Sequence, residues 1–368
     1  MSTKINKSIN KDNFFMSLAF DLAKSKLGLT GVNPSVGCVI VGKDEKILSV
    51  GSTGIGGVPH AEKNAIDSSV ESLNGSTLYS TLEPCIHYGK TPPCTNAIIK
   101  SGIKKVIFSL NDIDPRVKNR AKKILSKKGI LVKKNLLIDK AKIFYNPYII
   151  NKKYKIPYVI GKIAVTQNNV IYSDQTKKIT SVVSDKLTHY LRYKNDSILI
   201  SSKTANIDNP RLDCRLNGLK KFSPRRIILD RNLELNHNSF IFKTINKKNT
   251  IIFYNSDTKE KITRLKKKGA LLIRCKTNKN QFFNLKLILK KLYDLNVRNI
   301  LVEGGQKLTE NCLKHRIFNE FYLFKSNKKD PLKSNFKFFK NSSLLKKVFK
   351  YDRKLANKLN KDKVIIYN

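Results

Sequence analysis

The sequence predicts an α/β protein built from two domains. Its 368 residues are enough for two separate hydrophobic cores. Short β-branched runs alternate with helical patterns along most of the chain, which is typical of helix-covered sheets. The alternation is interrupted over 147–157, a basic stretch with a proline at each end and little periodicity. We therefore expect a first domain over 1–146, a linker over 147–157 and a second domain over 158–368.

The first domain begins with a helical pattern over 14–27, whose apolar residues share one face. A turn containing Pro34 and Gly37 then leads into a β-branched run that ends at Val41, and 47–51 is its expected hairpin partner. Further along, helices and strands alternate. Helices are predicted over 60–68, 94–101 and 118–128, and strands over 77–82, 104–110 and 129–134. The order ββαβαβαβ indicates a mixed sheet covered by helices.

Two motifs in this domain carry ligands for a metal ion. Pro59-His60-Ala61-Glu62 supplies an imidazole, and Cys85 and Cys94 supply two thiols. One nitrogen and two sulfurs, with a fourth position open for water, are typical of catalytic zinc sites, whereas structural sites fill all four positions with protein. Glu62 is too close to His60 in sequence to be a convenient fourth ligand and is well placed to transfer protons. We predict a catalytic zinc, with a structural or vestigial site as the alternative.

The loop between the two cysteines contains His87, Lys90 and Thr91. The complete ligand set argues against His87 as a further zinc ligand. Contact with a substrate phosphate and simple exposure to solvent both remain open for this loop.

The second domain repeats the alternation and predicts a doubly wound sheet. Helices are predicted over 184–194, over 284–295 and from 306 to about 316, with a polar loop over 204–215. Strands are predicted over 158–166, 196–201, 227–230, 250–254, 270–273, 299–303 and 364–367.

Several polar residues of this domain have two interpretations. Gly304-Gly305 lies between a strand and a helix, where backbone N–H groups attract phosphate, but it is equally typical of a tight turn. Glu303 either binds a hydroxylated substrate or is exposed. Arg192 and Arg215 either bind phosphate or are surface charges.

The net charge of +46 allows affinity for a polyanion such as RNA, or reflects a compositional bias toward Lys, Asn and Ile. We favour the bias, because lysines are scattered through every segment and the chain has no Trp.

No apolar run approaches the ~18–20 residues of a membrane span, and residues 1–13 are polar and basic. We expect a cytoplasmic protein. The cysteines outside the metal motif are expected in the core: Cys38, Cys214, Cys275 and Cys312.

The histidine, glutamate and cysteine motifs resemble those of the cytidine-deaminase-like zinc deaminases. The long spacing in Thr81–Cys94 resembles the deaminase half of the bifunctional riboflavin-biosynthesis deaminase/reductase family. This resemblance implies a cytidine-deaminase-like three-layer N-terminal domain followed by a dihydrofolate-reductase-like doubly wound C-terminal domain. It implies zinc ligands at His60, Cys85 and Cys94 and a catalytic Glu62.

The resemblance extends through Lys162–Thr166, the central block 179–215 and Val302–Gly305. It implies two cofactors, Zn²⁺ and NADPH. The NADPH positions that it implies are Ala164, Lys178, Thr204, Asp208, Gly305 and Gln306. The substrate positions that it implies are Asn33, Thr176, Arg192, Leu212, Arg215 and Glu303, where Thr176 rests on a gapped match. His87 and Lys90 are candidate substrate residues because of their own chemistry in the loop between the cysteines.

The chain departs from the family pattern at several positions. Thr53 occupies the position of a usual His before the histidine motif, and Lys118-Asn119-Arg120 replaces a Gly-rich continuation. In the second domain, Thr166-Gln167-Asn168-Asn169 replaces S-x-D-G, and Lys178 replaces a Trp. The deaminase motifs are intact, so the departures concern mainly the NADPH site.

The leading hypothesis is a bifunctional enzyme that deaminates a phosphoribosylaminopyrimidine and then reduces its ribosyl group with NADPH. A deaminase with a non-catalytic second domain and a nucleic-acid-editing deaminase are the alternatives. We expect a phosphorylated pyrimidine substrate and a homo-oligomer, without membrane or nucleic-acid partners.

Overall fold

The computed structural model describes residues 2–89, 91–173, 179–332, 336–355 and 361–368. Three predicted site residues, Lys90, Thr176 and Lys178, lie outside these ranges. The chain divides into two compact units, Met1–Lys155 and Ile156–Asn368. Within the described ranges, no helix has the length and apolar character needed to cross a membrane.

The first unit is a mixed five-stranded sheet covered by helices, as predicted. Its strands are β1 (Gly37–Val41), β2 (Ile47–Ser52), β3 (Thr77–Leu82), β4 (Lys105–Leu110) and β5 (Leu131–Lys134). They lie in the order β2-β1-β3-β4-β5, with β1 antiparallel to both neighbours and β3, β4 and β5 parallel. The helices are α1 (Ser2–Ser25), α2 (Ala61–Asp67), α3 (Cys94–Lys100), α4 (Ala121–Ser126) and α5 (Ile138–Tyr154).

The prediction of an irregular linker over 147–157 is wrong for most of that stretch. Helix α5 continues through Pro147 and ends at Tyr154, followed by Lys155 with a left-handed φ of 56°. The helix is held by its buried face, where the Tyr145 hydroxyl lies 2.6 Å from the Thr81 hydroxyl. Packing of this kind overrides the weak periodicity and the internal proline that suggested a linker.

The second unit contains a nine-stranded sheet in the order β11-β10-β9-β8-β12-β6-β13-β16-β15, and a small sheet of β14 and β7. The seven strands from β11 to β13 in this order are parallel to one another. At the edge of the sheet, β16 pairs antiparallel with both β13 and β15. The strands are β6 (Tyr158–Val165), β7 (Val170–Ser173), β8 (Ser197–Ser201), β9 (Arg225–Leu229), β10 (Thr250–Tyr254), β11 (Leu271–Arg274), β12 (Asn299–Val302), β13 (Glu320–Lys325), β14 (Phe336–Phe338), β15 (Asp352–Lys354) and β16 (Lys363–Tyr367).

Both faces of the large sheet are covered, as the doubly wound prediction requires. Neighbouring residues of a strand point to opposite faces, so Ile227 and Ile300 join one buried cluster while Ile228 and Leu301 join another. The helices are α6 (Val182–Lys194), α7 (Ser202–Asp208), α8 (Phe240–Lys243), α9 (Lys259–Lys268), α10 (Leu285–Asp294), α11 (Gln306–Lys314) and α12 (Ser342–Val348).

The polar loop predicted over 204–215 is only partly a loop. Its first part belongs to α7, which begins with a side-chain cap: the Ser201 hydroxyl accepts a hydrogen bond from the Thr204 N–H. Ser201 is also the last residue of β8, so the strand pattern that ends there conceals the capping signal. The remaining loop, 209–215, begins with the left-handed residue Asn209, with φ 40°.

Candidate active sites

The three predicted zinc ligands converge at the edge of the first sheet. His60 is the extended residue that precedes α2, Cys85 follows β3, and Cys94 is the first residue of α3. The His60 Nδ1 atom lies 3.4 Å from the Cys85 Sγ atom and 3.4 Å from the Cys94 Sγ atom. Close packing of α2 on β2 fixes His60, since a Cβ atom on Gly51 would lie 2.2 Å from the Ala61 carbonyl oxygen.

The geometry and chemistry of this cluster fit a zinc ion. The three ligand atoms lie within 4.8 Å of one another, and tetrahedral zinc with ordinary Zn–S and Zn–N bonds separates its ligands by roughly 3.5–3.8 Å. Hydrogen bonds from the Cys94 thiol and the His60 ring hold the pKa of the Cys85 thiol well below its usual range. One sulfur is therefore available as a thiolate, the form that binds metal.

Glu62 lies beside this cluster on the first turn of α2, and 4% of its surface is exposed. Its carboxylate accepts a hydrogen bond from the Ser80 hydroxyl at 3.2 Å, and the Cys94 Sγ atom lies 3.5 Å from its second oxygen. Burial raises the pKa of this carboxyl group. A buried carboxyl group with a raised pKa is suited to proton transfer near neutral pH.

A cavity of about 240 Å³ opens beside the cluster, and its lining includes Asn33, His60, Glu62 and His87. The Asn33 amide donates a hydrogen bond to the Gly57 carbonyl oxygen at 3.0 Å. The His87 Nδ1 atom is buried and has no hydrogen-bond partner among the described residues. The structure therefore brings the predicted substrate residues Asn33 and His87 to the metal cluster.

The sequence interpretation missed a charged group on the same cavity wall. The Asp114 carboxylate lies 2.8 Å from the Arg116 guanidinium and 3.0 Å from the Lys152 ammonium, and all three residues line the cavity. Asp114 follows β4, whose carboxyl end lies beside that of β3 and Cys85. This adjacency was available from the sequence, whereas Lys152 comes from the misassigned helix α5.

Glu83 fixes the segment that follows β4 beside the metal ligands. Its buried carboxylate accepts backbone hydrogen bonds from Asp112, Asn119 and Ala121, each at 3.0 Å. Asn119 occupies the position where the family has a Gly-rich continuation, and it adopts a left-handed φ of 61°. Asn tolerates this conformation better than most residues, so the departure leaves the loop intact.

The second unit contains a cleft of about 840 Å³ at the carboxyl ends of β6, β8 and β12. Ligands bind at this edge in open α/β sheets. Residues from the N-terminus of α11 form one wall, with Gly305 preceding the helix and Gln306 beginning it. The lining includes the predicted residues Ala164, Thr204, Asp208, Glu303, Gly305 and Gln306.

The cleft fits a phosphorylated dinucleotide. Its volume lies in the range of about 300–1,000 Å³ that is typical of ligand pockets, and the helix N-terminus offers backbone N–H groups to a phosphate. A Cβ atom on Gly305 would lie 3.4 Å from the Thr204 hydroxyl, so these two predicted residues are adjacent. The departure at Asn169 is accommodated by a left-handed φ of 64° in the turn that joins β6 to β7.

Three of the predicted substrate residues that the structure describes, Arg192, Leu212 and Arg215, are not in the cleft lining. Arg192 reaches it indirectly through two hydrogen bonds of 2.8 Å to the Glu303 carboxylate. Leu212 is buried with a left-handed φ of 58°, and Arg215 forms an ion pair of 2.7 Å with Asp213. The sequence interpretation did not select Lys162, which lines the cleft two residues before Ala164 on the same strand.

Comparison with known proteins agrees with the geometry of both units. The model of the cytidine and deoxycytidylate deaminase zinc-binding region matches residues 9–110, and that of the RibD C-terminal domain matches residues 157–326. The riboflavin biosynthesis protein RibD of Aquifex aeolicus is 36% identical over 315 residues, which cover 85% of this chain and 86% of that protein. The chain belongs to the RibD family.

Solved structures of RibD proteins have the same fold. A diaminohydroxyphosphoribosylaminopyrimidine deaminase/5-amino-6-(5-phosphoribosylamino)uracil reductase from Thermotoga maritima is 30% identical with a TM-score of 0.82, covering 98% of this chain and 99% of that one. Acinetobacter baumannii RibD is 25% identical with the same TM-score and coverage. The predicted fold class is therefore confirmed, and the chain is a bifunctional deaminase and reductase of riboflavin biosynthesis.

Proposed function

We propose that the first unit removes the ring amino group of 2,5-diamino-6-(5-phosphoribosylamino)pyrimidin-4-one. The observation that carries this proposal is the convergence of His60, Cys85 and Cys94 beside a buried Glu62 in one cavity. Deamination is a hydrolysis: water adds to the ring carbon, the carbon–nitrogen bond breaks, and ammonia leaves as the carbonyl forms. The substrate proposed here is that of the similar Thermotoga maritima deaminase/reductase, as its name describes it.

His60, Cys85 and Cys94 would hold the zinc ion. When bound at such a site, zinc can lower the pKa of a water molecule from about 16 to roughly 7. Glu62 would take a proton from the attacking water and give it to the departing amino group. The Ser80 hydroxyl supports this role because it fixes one carboxylate oxygen and leaves the other directed toward the ligand cluster.

We propose that Asn33, His87 and Lys90 contact the deaminase substrate. The buried Nδ1 atom of His87, which has no hydrogen-bond partner among the described residues, supports this assignment, because such an atom is costly until a ligand satisfies it. The position of Asn33 on the cavity wall supports it as well.

We propose that the second unit transfers a hydride from NADPH to the C1 atom of the ribosyl group of the deaminated product. The bond between C1 and the ring oxygen breaks and that oxygen takes a proton from solvent, which leaves a ribityl chain and NADP⁺. Ala164, Lys178, Thr204, Asp208, Gly305 and Gln306 are the proposed cofactor residues. Thr176, Arg192, Leu212, Arg215 and Glu303 are the proposed substrate residues. The cofactor supplies the hydride, and the protein orients it and excludes competing reactions.

The test measures both half-reactions on the full chain loaded with zinc. We expect one ammonia released and one NADPH oxidised for each pyrimidine consumed. Ammonia release without NADPH oxidation would favour a non-catalytic second unit. Absence of both would refute the proposal.

A further inference from the structure

A chain of polar contacts connects the reductase cleft to His189. Arg192 on α6 binds the Glu303 carboxylate and also donates from its Nη1 atom to the backbone carbonyl of Asp213 at 3.2 Å. His189 lies one turn earlier on α6, and its Nδ1 atom is 3.1 Å from the same carbonyl oxygen. The backbone N–H of Arg215 donates to this Nδ1 atom at 3.2 Å. The loop 209–215 is therefore attached to α6 by two neighbouring side chains.

This loop depends on such attachments because its backbone is irregular. Asn209 and Leu212 adopt left-handed φ angles of 40° and 58°. A left-handed conformation is unfavourable for Leu and persists only when the surroundings impose it. The buried Leu212 side chain anchors the middle of the loop, and His189 anchors the backbone at Arg215.

The contact between His189 and Arg215 requires a neutral ring. In the tautomer with its proton on Nε2, the Nδ1 lone pair accepts the Arg215 N–H. Protonation of Nδ1 places two donors face to face at the Arg215 N–H, and the new N–H donates instead to the Asp213 carbonyl oxygen, which has a second lone pair besides the one that Arg192 uses. It also adds a positive charge beside two arginines.

We infer that His189 is a positioning residue of the reductase, which holds the backbone of Arg215 in place only while the imidazole ring is neutral. The inference rests on the proposed function, in which Leu212 and Arg215 contact the reductase substrate. The charged groups that face the ring are Arg192 on its own helix, Arg215 and Asp213 on the loop, and Glu303 after β12.

The electrostatic surroundings agree with a neutral ring near pH 7. Burial and the positive charges of Arg192 and Arg215 lower the pKa of His189 below its usual 6.5. Protonation, and with it the loss of the Arg215 contact, is therefore confined to acidic solution.

The experiment compares two substitutions of His189 in the full chain. His189→Asn keeps an acceptor near the Nδ1 position but cannot be protonated, whereas His189→Phe keeps the ring and removes the acceptor. The KM for 5-amino-6-(5-phosphoribosylamino)uracil and the kcat are measured by NADPH oxidation between pH 5.5 and 8. Lys186→Gln, an exposed change on the same helix, is the matched control.

We expect His189→Phe to raise the KM by roughly fivefold to tenfold at pH 7.5, with a smaller effect on kcat and on NADPH affinity. His189→Asn should recover most of this loss. As the pH falls, the KM of the wild-type chain should rise relative to that of His189→Asn. The substrate phosphate also titrates near pH 6, but it affects every variant equally. The ratio of the wild-type KM to the KM of His189→Asn therefore isolates the contribution of the ring.

A KM of His189→Phe equal to that of the wild type, or a ratio that stays constant with pH, would overturn the inference while leaving the proposed reductase intact. Should His189→Phe fail to fold, as judged by loss of ammonia release and NADPH binding, the pH dependence of the ratio between the wild type and His189→Asn decides alone. A wild-type chain that releases ammonia but oxidises no NADPH would refute the reductase proposal and this inference with it.

Discussion

Two buried glutamates near the metal ligands differ in what their carboxylates contact. Glu83 accepts three backbone N–H groups, which satisfy it and fix it in place. Glu62 contacts only the Ser80 hydroxyl and the Cys94 thiol among the hydrogen bonds found for its side chain, and both glutamates line the cavity. A carboxylate occupied by three backbone donors is poorly available for proton transfer, so we expect Glu83 to fix the surrounding loop and Glu62 to transfer protons.

The first prediction tests the role of Glu62. Glu62→Gln removes the proton acceptor while keeping the size of the side chain, so ammonia release should fall by at least about 10²-fold to 10⁴-fold. Zinc content, measured by atomic absorption, should stay near one ion per chain because the ligands are untouched. Glu71→Gln, which alters a surface pair with Lys46, is the control. Full turnover by Glu62→Gln would rule out the proposed proton transfer.

The second prediction concerns the ion pair between Glu303 and Arg192 and its dependence on pH. Burial alone would raise the pKa of Glu303, but the charge of Arg192 and its paired hydrogen bonds outweigh this and hold the pKa at about 2. Because the folded pKa lies below the unfolded value, the stabilisation is complete above about pH 5 and is lost as the pH falls toward 2. Its full size is about 3 kcal/mol.

Urea unfolding of the wild type and of Glu303→Gln between pH 7 and pH 3 measures this effect. The substitution leaves Arg192 without its counter-ion, so the variant should be less stable at pH 7. The difference between the two free energies of unfolding should shrink as the pH falls below 5. A difference that stays constant with pH would show that the ion pair makes no pH-dependent contribution to the free energy of unfolding.

The sequence predicted the metal ligands because they occur in two short motifs whose chemistry is recognisable without the fold. Arg192 and Glu303 are separate candidates in the sequence, and for each the alternative is an exposed surface charge. Their pairing across 111 residues is not predictable from spacing. Lys152 was missed because its contact with Asp114 depends on where helix α5 packs.

At the level of elements, Glu83 determines how the loop between β4 and α4 is held against the metal site. The loop supplies Asp112 and Asp114 to the cavity wall, and Glu83 binds the backbone at both its ends. The loop is therefore positioned by a residue of the cysteine motif itself.

The third prediction is that Glu83→Ala destabilises the first unit. The change leaves three backbone N–H groups without their acceptor, at a cost of about 3 kcal/mol or more in the free energy of unfolding. Glu71→Ala, at a partly exposed ion pair, should cost less than about 1 kcal/mol. Denaturant unfolding followed by circular dichroism measures both. Equal stability of the two variants would contradict the supporting role of Glu83.

Most elements were predicted because strands buried on both faces appear as continuous β-branched runs; β3 and β10 have the predicted bounds. Elements stabilised mainly by tertiary contacts were not. Helix α5 contains a proline and has a weakly apolar pattern, and its buried face forms only against the sheet. Helix α7 is seven residues long and depends on its Ser201 cap.

At the scale of the whole molecule, the net charge of +46 is the least specific feature. Many lysines lie on exposed helix surfaces, as in α9, whose last turn carries Lys266, Lys267 and Lys268. Single-stranded nucleic acid is bound along a continuous basic groove with interleaved aromatic residues, whereas both described cavities are partly open clefts of about 240 and 840 Å³, a size suited to small ligands. The architecture therefore favours two small-molecule sites, each inside its own compact unit.

The fourth prediction follows from this division into two units. Each unit has its own buried core, and the metal ligands belong entirely to the first. Removal of zinc by a chelator should therefore lower ammonia release by at least about 10²-fold, while NADPH oxidation with supplied 5-amino-6-(5-phosphoribosylamino)uracil continues. Both half-reactions are assayed on the same chelated sample, and zinc, but not magnesium, should restore the deaminase because magnesium prefers oxygen ligands. Loss of both activities on chelation would mean that the reductase also depends on the metal, and the assignment of one reaction to each unit would be wrong.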